Sequence, residues 1–257
     1  MGKKIEREGE RLSRETGIDF KKYYKPGLVE KIGELIGFIG SIRSIFLGYY
    51  AVLLVIVTAL CTWFFLRDMN IVGIVLFFIF GILFCAGAGT ALATMKLAEK
   101  VVEDSSDTAV LMLDFAKEVR HDISNVESKP GFKIAYSDLL KGLSFNVFIP
   151  MTKQVIKDKL GLFSKPVIYI VQNALFYFTN FLTEAIDEKG GEISAVKTEA
   201  EAGKEIEAFD KSIDSVKEKI EPLADSVTGK LKIPARVLLI LSIVICLPIL
   251  LVIFLIF

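Results

Sequence analysis

Long uncharged stretches alternate with highly charged ones along this chain of 257 residues. Three uncharged stretches stand out, at residues 49–66, 71–95 and 237–257. A bilayer core of about 30 Å needs roughly 20 residues of helix, so each stretch is long enough to span it. Tyr49 and Trp63 lie near the two ends of the first stretch, where amphipathic rings suit the membrane interfaces. The pattern predicts three transmembrane helices.

The distribution of lysine and arginine predicts how these helices are oriented. Ten such residues precede the first stretch, whereas the connector between the first two stretches carries only Arg67. Because cytoplasmic loops are enriched in lysine and arginine, the N-terminal segment and the long middle segment are expected in the cytoplasm. The expected location is therefore the cell membrane, with a cytoplasmic N-terminus and the C-terminus at the outer face.

These features together predict an all-α, polytopic membrane protein with a cytoplasmic helical bundle between the second and third transmembrane helices. Residues 1–47 form a cytoplasmic N-terminal segment, and residues 48–95 form a transmembrane hairpin. Residues 96–236 form the cytoplasmic helical domain, and residues 237–257 form the C-terminal transmembrane helix. No stretch shows the alternating pattern of a β-strand.

The N-terminal segment contains an amphipathic helix between Leu28 and Phe46, after a Pro-Gly pair. Its apolar residues follow the i, i+3, i+4 spacing of one helix face. Such a helix is predicted to lie in the membrane interface and contact lipid headgroups. The alternative is that the same face packs against the cytoplasmic domain.

The cytoplasmic segment is predicted to contain several separate helices. Residues 103–107, EDSSD, indicate a helix break because such residues favour helix caps. Two shorter helices follow at residues 132–143 and 151–162. Residues 166–183 are uncharged, but their glutamine and asparagines are costly in lipid, so this helix is predicted to be central in the bundle.

A heptad pattern follows in the last part of the cytoplasmic segment, and Pro222 is expected to kink it. Packing on neighbouring helices is favoured over a free coiled coil. The apolar positions are Ile206, Phe209, Ile213, Val216, Ile220, Leu223 and Val227.

Small residues recur every four positions in the second transmembrane stretch, at Gly81, Cys85, Gly89 and Ala93. Small side chains at this spacing let helix backbones approach closely in lipid. They are predicted to form a helix-packing face, either within one chain or, as the alternative, between two copies in a homodimer.

The sequence contains no recognisable catalytic, cofactor-binding or metal-binding arrangement. The chain has one histidine and three cysteines, and the three cysteines all lie in apolar stretches, so no metal-ligand spacing exists. No phosphate-binding loop is present in the sequence either. The net charge of zero provides no field for collecting nucleic acid. The chain is therefore predicted to be no enzyme, to need no cofactor and to bind no nucleic acid.

Residues 175–209, LFYFTNFLTEAIDEKGGEISAVKTEAEAGKEIEAF, combine an amphipathic helix, a Gly-Gly break and a long charged helix that leads to a membrane span. This order resembles the F-type platform proteins of type II secretion, type IV pilus and archaeal flagellum machines. The resemblance implies a non-enzymatic membrane platform whose partners are an assembly ATPase and pilin-like subunits.

The end of that amphipathic helix is the predicted partner-binding site, with Asp187, Glu188, Gly190, Gly191 and Glu192 around the Gly-Gly turn. The function predicted from the sequence is a membrane scaffold that binds protein partners. Two alternatives stay open: a small channel or transporter component, and a membrane tether that recruits an unrelated cytosolic protein.

Overall fold

The computed structural model of the chain describes residues 2–67, 70–126, 133–161, 164–188, 191–194 and 199–256, which are almost wholly helical. In chain order the elements are α1 (Gly2–Thr16), a 3₁₀ turn (Phe20–Tyr23), α2 (Pro26–Leu35), α3 (Phe38–Leu66), α4 (Ile71–Val126), β1 (Lys133–Ala135), α5 (Tyr136–Leu143), a π-helical turn (Ser144–Phe148), α6 (Ile149–Leu160), α7 (Ser164–Asp187), β2 (Glu192–Ser194), α8 (Glu199–Lys217) and α9 (Ile220–Ile256).

The chain divides into two compact units. The helical domain contains Met1–Ile39 and Val101–Val227, and the three-helix unit contains Gly40–Lys100 and Thr228–Phe257. This division differs from the one expected from the sequence, because residues 1–39 fold together with the middle segment instead of forming a separate one.

The three-helix unit contains the apolar parts of α3, α4 and α9, and the prediction of three apolar helices is confirmed. By length and composition the helices could cross a membrane. Val55, Leu66 and Leu255 are between 67% and 73% exposed, so apolar side chains cover the outside as well as the inside of the unit. Inside it, the rings of Phe64 and Phe77 meet edge to face, with centroids 4.9 Å apart.

The core of the helical domain forms around α7, which packs against α5 and α6. Its apolar residues recur at helical spacing on one face, whereas Tyr169 is 62% exposed. Among the described residues, α7 is not one of the helices apolar enough to cross a membrane. Its buried residues include Val167, Val171, Ala174, Leu175, Phe178, Leu182 and Ile186.

A π-helical turn joins α5 to α6, so the two helices expected at residues 132–143 and 151–162 form one continuous helical path from Tyr136 to Leu160. The widened turn comes just before Pro150, which has no N–H and disfavours a regular α-helix at that point. The hydroxyls of Ser144 and Thr179, 2.5 Å apart, form a buried hydrogen bond from this turn to α7.

The helix break expected at residues 103–107 is wrong, because α4 runs through this segment without interruption. The hydroxyl of Ser106 donates to the backbone oxygen of Glu103 at 2.6 Å, so a side chain that would favour a cap is used within the helix. The carboxylate of Asp104 instead accepts the N–H of Phe38, the first residue of α3, at 2.7 Å. Burial raises the pKa of Asp104, and the hydrogen bonds from the N–H groups of Phe38 and Gly37 oppose this rise.

Helix α2 packs against α6 within the helical domain. Leu28, Ile32 and the following Ile36 are buried, and the ammonium of Lys159 donates to the backbone oxygen of Gly33 at 2.6 Å. Of the two placements left open by the sequence, packing on the domain accounts for the burial of these apolar residues.

Of the seven heptad positions, Phe209, Ile213 and Val216 of α8 are the most deeply buried, and their side chains are completely inaccessible. Helix α8 ends at Lys217 and α9 begins at Ile220, which places Pro222 in the first turn of the new helix. A proline is tolerated there because the first-turn N–H groups have no intrahelical partner. The kink expected at Pro222 is therefore not at the proline itself; the helices are instead separated by a break at residues 218–219.

Strands β1 and β2 pair antiparallel, with Ile134 opposite Ile193. The expectation that the chain contains no strand is wrong, because three residues are too few to show an alternating pattern. The pairing places Gly191, which directly precedes β2, beside Tyr136, the first residue of α5.

Candidate functional site

The predicted helix-packing residues lie in the three-helix unit. A β-carbon on Gly81 would lie 2.6 Å from a methyl carbon of Val57, and one on Gly89 would lie 2.9 Å from the ring of Tyr50. Both neighbours belong to α3, and the other two small residues are buried. The four residues are Gly81, Cys85, Gly89 and Ala93. The homodimer alternative stays a prediction.

A second close approach in the same unit involves α9. A β-carbon on Gly87 would lie 3.1 Å from the β-carbon of Ser242 and still closer to its hydroxyl oxygen. Further along the same pair of helices, the ammonium of Lys232 lies 2.5 Å from the carboxylate of Glu99. The small residues of α4 therefore allow two neighbouring helices, α3 and α9, to approach it.

Replacing Gly89 with leucine should destabilise the three-helix unit by about 1–2 kcal/mol, because the new side chain overlaps the ring of Tyr50. The measurement is the thermal midpoint of the full chain in detergent micelles. Gly48→Leu is the matched control, since no atom of the described residues lies within 4 Å of a β-carbon at that position of α3. Equal midpoints for the two variants would contradict the packing described here.

The predicted partner-binding site lies at the C-terminal end of α7. Asp187 is the last residue of that helix, and Glu188 follows it; both are exposed. Glu192, the first residue of β2, is also exposed, whereas Gly190 lies outside the described residues. Gly191 lies between Glu188 and Glu192 in the sequence. The structure therefore places three carboxylates on the surface near this end of α7.

Tyr136 connects this acidic end to α8. Its N–H donates to the backbone oxygen of Gly191 at 3.2 Å, and its ring would lie 2.6 Å from a β-carbon on that glycine. The ring also meets Phe209 edge to face at 4.7 Å, and the hydroxyl donates to the backbone oxygen of Glu205 at 3.2 Å. Burial raises the pKa of Tyr136. The glycine is required here because any side chain would displace the tyrosine ring.

Arg120 of α4 lies in the same cluster, and its side chain is only 1% exposed. One of its terminal nitrogens lies 3.1 Å from the carboxylate of Glu205, which is 26% exposed. Among the described residues, its Nε and Nη1 atoms have no hydrogen-bond partner, and neither has the buried Oδ1 atom of Asp210. Burial lowers the pKa of Arg120, and the negative charges of Glu205 and Asp210 oppose this shift. The ion pair with Glu205 therefore partly compensates the buried charge of Arg120.

Two further ion pairs connect α4 to α8 at the surface. Lys117 lies 2.8 Å from Asp214, and Lys217 pairs with Asp114. The pairing order shows that the two helices run antiparallel. Lys117 also holds the pKa of Asp214 below its usual value. Because exposed ion pairs contribute little stability, their main consequence is to fix the register of α8 on α4.

A groove of about 830 Å³ opens on the helical domain, bordered by α1, the 3₁₀ turn, the π-helical turn, α6 and α7. Its floor is apolar and consists of the buried side chains of Ile5, Phe145 and Ile149. Glu6 and Glu10 contribute acidic groups from α1. The groove lies within a single unit and does not involve the acidic end of α7.

The other bordering elements contribute basic and aromatic groups to the groove. Lys21 comes from the 3₁₀ turn, Lys153 comes from α6, and both are exposed. Tyr24, 38% exposed, lies at the rim and its hydroxyl bonds to Gln154. The charge therefore changes sign between the α1 side of the groove and the side formed by the 3₁₀ turn and α6.

Asn146 of the π-helical turn holds α1 in place. Its side-chain nitrogen donates to the backbone oxygens of Gly9 and Gly142, each at 3.0 Å. A β-carbon on Gly9 would lie 2.8 Å from the side-chain oxygen of Asn146, so only glycine permits this approach. The groove could not be recognised in the sequence, because its lining residues come from segments that are far apart in the chain. The one available signal was the helical spacing of Ile5 and Leu12 in α1.

Within the part of the chain that the structure describes, no group of three or more histidine, cysteine, aspartate or glutamate side chains could hold a metal ion. Comparison with known proteins found no matching family model, no matching curated protein and no matching solved structure.

Proposed function

We propose that the chain is a non-enzymatic integral membrane scaffold whose helical domain binds protein partners at the cytoplasmic face of the cell membrane. The observation that carries this proposal is the connectivity of the helical domain. Its two segments, Met1–Ile39 and Val101–Val227, are separated by a pair of apolar helices and followed by a third. The domain is thus covalently connected to three helices that could cross a membrane.

This connectivity suits a protein that positions a partner beside the bilayer. The chain passes between the domain and the apolar helices at three points, so the domain is covalently joined to all three helices. The domain offers two surfaces to a partner, the acidic end of α7 and the groove beside α1. Among more specific functions, a platform that contacts an assembly ATPase and pilin-like subunits stays a prediction from the resemblance in layout.

The orientation is tested by thiol labelling in intact cells, after Cys61, Cys85 and Cys246 have been replaced by serine. A cysteine at Lys157, exposed on α6, should react with a membrane-impermeant reagent only after lysis. A cysteine at Arg67, in the connector between α3 and α4, should react in both conditions. Reaction of the Lys157 site in intact cells would contradict the proposed orientation.

Partner binding at the acidic end of α7 is tested by crosslinking and affinity capture from native membranes. Reversing Asp187 and Glu188 to lysine should reduce the recovery of specific partners while helicity is retained, because both side chains are exposed. Glu184→Lys, an exposed change one helical turn earlier, is the control. Equal recovery from all three proteins would rule out this contact site.

A further inference from the structure

We infer that the groove beside α1 is the docking site for an amphipathic helix of a partner protein, one that carries an apolar ridge between a basic flank and an acidic flank. This inference rests on the proposed function and names the surface and the chemistry through which a partner binds. It is carried by three features of the groove: an apolar floor, a change of charge sign across it, and a fixed α1.

The floor favours apolar side chains over a polar small molecule. Ile5, Phe145 and Ile149 form it, and the ring of Phe145 stacks on that of Phe176 with centroids 6.1 Å apart. The amide nitrogen of Asn146 already donates to two backbone oxygens, so it has no N–H left to orient a ligand. A volume of about 830 Å³ leaves room for a row of large side chains such as an amphipathic helix presents.

The charges at the rim define the flanks of the incoming helix. Glu6 and Glu10 lie one helical turn apart on α1, so they can pair with two basic residues at the same spacing on the partner. Lys21 and Lys153 complement acidic residues on the other flank. Tyr24 offers a partly exposed ring at the rim, a residue type enriched where proteins bind each other.

The groove exists in the unbound chain because α1 is fixed. The double hydrogen bond of Asn146 and the burial of Ile5 and Leu12 hold α1 against the π-helical turn. Because the groove is preformed, binding does not require the helical domain to become ordered, and the entropic cost of binding is lower. The ordering of the partner helix is then the main entropic cost of binding.

The probe is a fluorescein-labelled designed helix of about 14 residues, four helical turns, with leucines along one ridge, lysines on one flank and glutamates on the other. Two control peptides keep the leucines but carry lysines on both flanks or glutamates on both flanks. Exchanging the flanks is not a useful control, because that peptide could bind in the opposite direction. Binding to the full chain in detergent micelles is followed by fluorescence anisotropy.

The mixed-flank peptide should bind at least about tenfold more tightly than either control, as expected for several complementary charges at one interface. The double variants Glu6→Lys with Glu10→Lys, and Lys21→Glu with Lys153→Glu, should each lose about tenfold in affinity. Combining all four changes should restore binding, because the reversed groove accepts the same peptide in the opposite direction. Glu30→Lys with Lys31→Glu, exposed on α2, should change nothing.

Equal binding of the three peptides, or no effect of the groove variants, would overturn the inference. Displacement of the peptide by phosphatidylcholine and phosphatidylserine vesicles would overturn it as well, because the occupant would then be lipid. In each case the capture experiment at the end of α7 still reports on the proposed function separately, since Asp187 and Glu188 do not line the groove.

Discussion

Replacing Glu205 with alanine should destabilise the helical domain by about 3 kcal/mol, because the buried guanidinium of Arg120 then loses its nearest carboxylate. The side chain of Arg120 is almost inaccessible to water, and two of its nitrogens have no hydrogen-bond partner among the described residues, so water does not replace the lost contact. The half-buried carboxylate of Asp210 still compensates part of the Arg120 charge in this variant. Native-state hydrogen exchange of the α4 and α8 amides in the full chain measures this change.

An exposed ion pair on the same helix provides the matched control. Glu207 and Lys211 lie 2.7 Å apart, with side chains 66% and 75% exposed. Glu207→Ala should leave the stability of the domain almost unchanged, because an exposed ion pair contributes little to it. A similar loss in the two alanine variants would show that the Arg120 pair is no more important than a surface contact.

Removing both charges distinguishes a stabilising pair from a buried charge that merely needs compensation. The double variant Arg120→Met with Glu205→Leu should recover part of the stability lost in Glu205→Ala, because the buried guanidinium is removed and only the carboxylate of Asp210 loses its attraction. If the double variant is as unstable as the single one, the packing shape of Arg120 matters more than its charge.

The apolar helices could be predicted from the sequence because their signal is local. A bilayer requires a continuous apolar stretch, so the composition of each stretch is sufficient evidence for it. The same holds for α7, where Gln172 and Asn180 interrupt an uncharged stretch and separate it from the three apolar helices. The EDSSD segment shows the limit of local reasoning, since the side chain of Ser106 bonds within α4 and that of Asp104 bonds to the start of α3.

The groove and the Arg120 cluster could not be predicted in this way, because they depend on contacts between distant segments. Asn146 reaches Gly9 across 137 positions of sequence, and Arg120 reaches Glu205 across 85. One local signal for the cluster was present: Arg120 follows Ala116 by four positions and precedes Ile123 by three, so it lies on the apolar face of α4. A charged residue on such a face indicates a buried partner, which only the fold identifies.

Gly142 in α5 is the glycine whose replacement should have the largest effect on the helical domain. A β-carbon at this position would overlap the ring of Phe20, lying 2.6 Å from its Cε1 atom and closer to two others. Phe20 is completely buried, so its ring has no open space into which it can move. Gly142→Ala should therefore destabilise the domain by about 3 kcal/mol, at the upper end of what overpacking usually costs. Hydrogen exchange of the α5 and α7 amides in the full chain measures this loss.

A glycine in an open position should respond in the opposite direction to the same substitution. Within the part of the chain that the structure describes, no atom lies within 4 Å of a β-carbon on Gly203 of α8, so Gly203→Ala should stabilise the domain by about 0.5–1 kcal/mol through helix propensity alone. In the Gly142→Ala background, Phe20→Leu should recover part of the lost stability, because the smaller side chain leaves room for the new methyl group. The two substitutions share one contact, so their effects should not add. Additive losses would mean that Gly142→Ala acts through the backbone of α5 and not through the ring of Phe20.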